Sequence, residues 1–442
     1  MKFKPLAHIS ILFSIALLFD KTVPFLGLKL DVISLIIGSL FICLALIRKE
    51  LVVSWRAIMP YVVAVAGILL TTLVGSLISR HIFGTIPISQ IKTEYHILLG
   101  CFLIFFDSII LGMDDTRFLT YAAYAFLISL VVIITPYIRI DMIQHIIGAK
   151  QYRFFGLIGD ANYYPTFMML PIMLIFYFLV KEYYAKQRGL VLAFLYLLFS
   201  LTVGLSWWSG SRSGWLGVIA EVVLFIILAA RQHTKKKILF IFGWLLVFIS
   251  AVAVSYILLP HNAKSDIRAR LGYITTPEQQ IAVDTSSDTL QPIISNGDNS
   301  IKTIPLIDAI SYSQDRIHIW KQSIHYFVHD PLGYGLVYYN IVNIVSGTDH
   351  VTAHSLIFES LLIGGLPLCL ILLWLFTNIT HGFFTRKNDT MDVETATFAA
   401  LVGFLICSLF LSALLLRWFW VLMALLIAWQ LNRQSTVTEN AS

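Results

Sequence analysis

Two adjoining stretches decide the fold class: RQHTKKK at 231–237 and ILFIFGWLLVFISAVAVSYIL at 238–258. The first carries Arg231, Lys235, Lys236 and Lys237; the second carries no charge. A helix rising 1.5 Å per residue over 238–258 covers the roughly 30 Å hydrocarbon core of a bilayer. A basic cluster at one end of such a helix is the kind of anchor that the positive-inside rule places in the cytoplasm.

The same pattern recurs along the chain. Apolar runs begin near Leu6, Leu30, Ala57, Tyr95, Phe118, Tyr163, Gly189, Ser213, Ile238, His354, Glu394 and Arg417. The composition agrees, with 58% hydrophobic and only 13% charged residues in 442. Soluble chains run at about 45–50% and about 25%, so a water-soluble enzyme and a disordered chain are both excluded. The net charge of +6 sits mostly between the runs. No basic stripe interleaves with aromatics, so no nucleic-acid partner is expected. Cys43, Cys101, Cys369 and Cys407 fall inside apolar runs and no CxxC occurs, which reads as small buried hydrophobes. Lys2 and Lys4 before the run from Leu6 to Phe19 lack a following cleavage site, so an uncleaved first helix is expected. The strand alternation of a membrane barrel is absent.

The expectation is therefore an all-α, polytopic membrane protein with about 12 transmembrane helices. Residues 1–259 hold helices 1–9, residues 260–353 form one long loop, and residues 354–442 hold helices 10–12. More Lys and Arg fall in the connectors on the side of the termini. That puts both termini in the cytoplasm and the long loop in the periplasm.

The middle of the long loop, Thr275 to Thr303, is polar. Asp308 to Val328 has helical period, with Ile317, Trp320, Ile324, Phe327 and Val328 on one apolar face. This helix is expected to lie on the membrane surface or cap the bundle. Asp330-Pro331 ends it, and Gly333 and Gly335 make the following turn. A second amphipathic connector is expected from Tyr137 to Ile147. No pair of Gly/Pro-broken helices stands out, which weakens a transporter reading.

Few residues are placed to do chemistry. Asp107, Glu221 and Glu359 are the ionisable groups inside apolar runs; each costs about 2.5–3.5 kcal/mol at the bilayer centre on insertion scales. Arg212 lies in Ser209-Gly210-Ser211-Arg212-Ser213-Gly214-Trp215, at a helix N-terminus where anions are favoured. Arg316 is four residues before Trp320 and shares its face. His354 adjoins the long loop, and an imidazole with a reference pKa of about 6.5 suits a general base. Taken singly, each has a plainer reading: a snorkelling arginine, a headgroup contact, a structural histidine, a bundle-facing carboxylate. His318, Gln322, His325 and His329 share a face with no acidic or Cys partner, which reads as a solvated face rather than a metal site. No Walker A, HExxH, GxSxG or GxGxxG signature occurs.

The order of these features resembles the O-antigen ligase/polymerase superfamily of bacterial membrane glycosyltransferases. It runs through Arg153-Phe154-Phe155-Gly156, Asp160-Ala161-Asn162-Tyr163, Arg212, the long loop, Arg316 to Trp320, Pro331-Leu332-Gly333-Tyr334-Gly335, His354-Ser355 and Gly364-Gly365. The resemblance implies a GT-C-type bundle in the inner membrane, with its active site on the periplasmic face. It implies a polyprenyl-diphosphate-linked glycan donor, a lipid A-core or glycan acceptor, and no metal or cofactor. Arg212 and Arg316 would hold the diphosphate and His354 would act as base. Arg153, Asn162, Glu359 and Trp320 would support them. Some relatives have Asn where Ser355 stands; one Arg here, Arg56, has Gly eleven positions on, but it falls in an expected cytoplasmic connector, unlike the external-loop pairs of one polymerase type. The expected function is O-antigen ligation to lipid A-core. The alternatives are a polymerase extending lipid-linked repeat units, and a lipid-linked glycan flippase or other transporter.

Overall fold

A computed structural model describes residues 2–17, 24–25, 28–51, 53–83, 88–138, 160–186, 189–231, 237–259, 263–264, 267, 319–338, 353–386 and 391–439. In chain order the helices are α1 (Lys4–Ala16), α2 (Leu30–Ile47), α3 (Trp55–Phe83), α4 (Ile88–Asp114), α5 (Thr116–Ile138), α6 (Tyr164–Tyr184), α7 (Gly189–Trp208), α8 (Arg212–Ala230), α9 (Lys237–Leu258), α10 (319–329), α11 (Leu356–Phe384), α12 (Val393–Ser408) and α13 (Arg417–Glu439). A two-residue pair, β1 (Pro24–Phe25) with β2 (Leu28–Lys29), precedes α2.

A helix stands at each of the twelve expected runs. Among the described residues, seven helices are long and apolar enough to cross a membrane: α3, α4, α6, α7, α8, α9 and α11. α1, the Val32–Ile47 part of α2, and α12 are shorter apolar helices. The connector expected from Tyr137 to Ile147 and most of the 260–353 loop lie outside the described residues.

The interior is built on α6 and α13. Nearly every residue of α6 is buried, as is the run Phe419 to Ala428 of α13. α13 packs along α4, α8 packs along α12, and α11 packs along α3. In lipid there is little hydrophobic drive between helices, so shape and small residues hold the seams. Gly217 of α8 and Gly403 of α12 bring their backbones into direct contact. Aromatic pairs fill wider gaps. Phe383 stacks on Phe398 at 4.0 Å, Phe404 on Phe419 at 5.1 Å, and Trp420 meets Phe102 edge-on at 4.8 Å. Each such pair contributes about 0.5–1.5 kcal/mol beyond its burial. Of the four free cysteines, Cys101 and Cys407 are buried as expected, while Cys43 is exposed on α2.

Both ends of the chain gather at one end of the bundle. Lys4 pairs with Asp114, Asn432 donates to the Met113 carbonyl at 3.0 Å, and Arg433 pairs with Glu394. The opposite end carries the starts of α6, α8, α11 and α13, and with them the candidate chemistry.

Candidate functional site

At that opposite end α7 turns into α8. Gly210 takes φ +67, and Ser211 then caps α8 by accepting from the Gly214 N–H at 3.3 Å. Arg212 is the first residue of the helix and its side chain is exposed. An exposed guanidinium at a helix N-terminus is a favourable place for an anion. The N-terminus of α8 lies directly on that of α6: a Cβ on Gly214 would sit 2.5 Å from Pro165, so only glycine allows the approach. Just before α6, Asp160 accepts from the Asn162 N–H at 2.7 Å, a turn that starts the helix. The Asp160–Asn162 stretch and Arg212 are thereby neighbours through two helix N-termini.

His354 does not open its helix, as the sequence reading had it. Ser355 is the N-cap residue and α11 begins at Leu356. His354 stands just before, with φ +45 in the left-handed region. The residue before it is held on both sides. The Trp320 indole N–H donates to the Ala353 carbonyl at 3.1 Å, and the Ala353 N–H donates to the Tyr338 phenol oxygen at 3.3 Å.

Trp320 belongs to α10 and packs that helix onto the bundle. Trp320 stacks on Phe358 at 5.2 Å and tilts against Phe410 at 6.1 Å. Ser323 is buried, whereas Ile324 and Val328 are 48% and 67% exposed. The Ser323 hydroxyl is satisfied within the helix by the Ile319 carbonyl at 2.8 Å.

Glu359, 5% exposed, lies one turn into α11. Its carboxylate accepts from the Ala413 N–H at 2.9 Å and the Leu414 N–H at 3.5 Å. It holds the turn between α12 and α13, which hangs beside Trp320 through Phe410. Tyr163 is the N-cap residue of α6, and burial pushes its phenol above the usual value, with Glu359 and then Asp160 adding to the shift. Tyr338 is raised well above its ordinary value in the same way, by burial first and Glu359 next. Tyr163 closes the Asp160–Tyr163 motif without having been marked for a role, and Tyr338 carries no motif at all.

The Pro331–Gly335 stretch is an interlock. α11 breaks at Gly365, with φ +63 and ψ −155. Into the break come the Tyr334 and Gly335 N–H groups, which donate to the carbonyls of Leu362 and Ile363 at 2.5 and 2.8 Å. The Leu366 N–H returns a bond to the Pro331 carbonyl at 3.0 Å. Backbone groups freed inside a membrane helix must be satisfied by protein, and this loop does so. Ser79 of α3 donates to the Tyr334 carbonyl and closes the third side. A single broken helix of this kind was not expected from the sequence.

Arg153 and Arg316 lie outside the described residues, as does His318. Arg212, Asn162, Trp320, His354 and Glu359 are at the same end of the bundle. Of the other carboxylates, Asp107 accepts from Ser39 at 2.5 Å. Glu221 is fully buried between α8 and α12, and neither oxygen has a hydrogen-bond partner among the described residues. His325 and His329 are exposed, with ring centroids 4.6 Å apart. Among the described residues no group of three or more His, Cys, Asp or Glu is arranged to hold a metal ion.

Residues 195–373 match the family profile of the O-antigen ligases, which bears out the resemblance seen in the motifs. The matched segment contains Arg212, Trp320, the α11 interlock, His354 and Glu359, and leaves out Arg153 and Asn162. No curated protein matches the chain. The family match and the membrane-length helices together support a multi-pass membrane protein of the ligase/polymerase type.

Proposed function

We propose that this chain is a membrane-embedded inverting glycosyltransferase that moves a glycan from a polyprenyl-diphosphate carrier to a sugar hydroxyl, with O-antigen ligation to lipid A-core as its reaction. One observation carries the reading. Within the segment that matches the O-antigen ligases, an exposed cation at a helix N-terminus and a histidine in a held turn share one end of the bundle.

The chemistry asks for little more. The anomeric carbon loses its bond to the diphosphate oxygen, which leaves with the electron pair. Arg212, joined by Arg316, meets that developing charge with fixed donors. The acceptor hydroxyl attacks from the opposite face and gives its proton to the His354 imidazole. Inversion follows from that geometry. The bundle holds the prenyl chain, the termini lie in the cytoplasm and the site faces the periplasm. No metal takes part.

The test is transfer by the purified chain in lipid, given undecaprenyl-diphosphate-linked glycan with and without lipid A-core, in the presence of a chelator. Glycan on lipid A-core is expected. Longer lipid-linked glycan without that acceptor would establish the polymerase instead. No product from any native donor would overturn the enzyme reading in favour of transport.

A further inference from the structure

Left-handed backbone is rare for a residue with a side chain and costs roughly 1–3 kcal/mol unless its surroundings hold it. Among the described residues only Lys49, Lys186 and His354 carry it outside glycine. Lys49 and Lys186 lie just past the ends of α2 and α6, where chains often reverse through this conformation. His354 stands before a helix, where no such habit applies.

The chain just before it is held through the peptide group on either side of Ala353. Ala353 is 1% exposed, and its carbonyl and amide are each fixed by a different side chain. Trp320 comes from α10 and is wedged between Phe358 of α11 and Phe410 of the α12–α13 turn. Tyr338 comes from the end of the interlocked loop, is 3% exposed, and reaches across to the chain fifteen residues on. Neither contact is made by chance packing at a surface: both join elements that are themselves anchored in the bundle, by the α11 break and by Glu359.

We propose that Tyr338 and Trp320 are positioning residues that lock the Ala353–His354 backbone, so that the imidazole is presented to the acceptor in one fixed direction. This rests on the proposed role of His354 as base. The two side chains act on orientation and touch neither substrate. A misplacement of about 1 Å in a reacting group costs about 100-fold in rate, so a slackened turn has a large effect without any change in donor binding.

The variants are Tyr338→Phe, which keeps the ring and removes the accepting oxygen, and Trp320→Phe, which keeps an aromatic ring and removes the indole N–H. Both are made in the full chain in lipid, alone and with His354→Ala. Hydrogen exchange of the 353–358 peptide reads the clamp directly. It should quicken in each single variant while exchange in α6 and α13 stays as in the parent. In transfer assays kcat should fall about ten- to 100-fold with the donor KM held. The apparent pKa on the acid side of the rate profile should move. In the His354→Ala background neither substitution should cost anything further. Unchanged exchange at 353–358 overturns the clamp itself. Quickened exchange with additive losses in the double variants overturns the positioning role and leaves a purely structural contact. Full transfer by a folded His354→Ala chain removes the base reading, and the positioning role with it, whatever the exchange data give.

Discussion

The two ends of the bundle treat charge differently. At the end that holds the termini, charged side chains face one another. Lys4 meets Asp114, Arg386 meets Asp392 at 3.2 Å, and Glu394 lies between Arg386 and Arg433. Glu50 accepts from the Phe3 and Lys4 N–H groups at 2.7 and 3.1 Å and so caps α1. At the other end the roles separate. The Glu359 carboxylate is turned inward onto backbone amides, while Arg212 stands exposed at a helix start. One end spends its charges on joining helices. The other fixes its backbone with uncharged and inward-facing groups and leaves a cation exposed at a helix start.

That contrast can be broken in order of expected effect. Replacing His354 with Ala should lower transfer about 10²–10⁴-fold, the range a general base contributes, with donor binding kept. Equal rates in variant and parent would return His354 to a structural role. Arg212→Gln should lower transfer about 10²–10³-fold and also weaken donor binding, since it removes a fixed donor from the charge that develops. Arg212→Lys should recover part of the binding and less of the rate, because a point charge lacks the guanidinium fork.

A third substitution tests the scaffold beneath the site. Gly365→Ala places a Cβ into the Pro331 carbonyl at a left-handed position. It should lower the melting temperature in detergent and the rate together. A melting temperature unchanged from the parent would show that the break in α11 tolerates a side chain. At the far end, Arg433→Ala should cost about 1–3 kcal/mol of stability by stripping one partner from Glu394, with the transfer rate of the folded fraction unaltered. A changed kcat there would mean the two ends are coupled.

The smallest effect concerns pH. The Lys4 N–H, followed by that of Phe3, holds the Glu50 carboxyl below its usual value. A depressed carboxylate stabilises the fold above its unfolded pKa, about 4.3 for Glu, and loses that contribution as pH falls through the folded value. Melting curves of the parent and of Glu50→Gln should therefore differ at neutral pH and converge below about pH 4. Parallel curves across the range would mean the cap on α1 contributes nothing measurable.

Much of the site was legible in the chain. The stretch Ser209–Gly214 announced a tight turn into a helix with a cation at its start, and Arg212 is found there. Gly333, Gly335, Gly364 and Gly365 stood out as motif residues, yet nothing in their spacing said that one pair would thread the break made by the other. Glu359 was visible as a costly carboxylate but its partners, the Ala413 and Leu414 amides, are backbone groups that every residue carries. On α10 the apolar stripe divides: Trp320 packs on the bundle while Ile324 and Val328 are exposed.

By itself the sequence determined that this is an all-α chain with membrane-length helices, roughly where those helices begin, and how few charges lie within or beside them. These follow from local quantities: the length of apolar runs, the position of bases beside them, and residues that permit or forbid a turn. Only the tertiary structure decided that Tyr338 and Trp320 grip the peptide before His354, that the Pro331–Gly335 loop fills the break at Gly365, and that Glu359 serves the turn between α12 and α13. Those are hydrogen bonds between groups far apart in the chain, several of them main-chain amides and carbonyls. Such groups are the same at every position, so only the folded arrangement can say which of them meet.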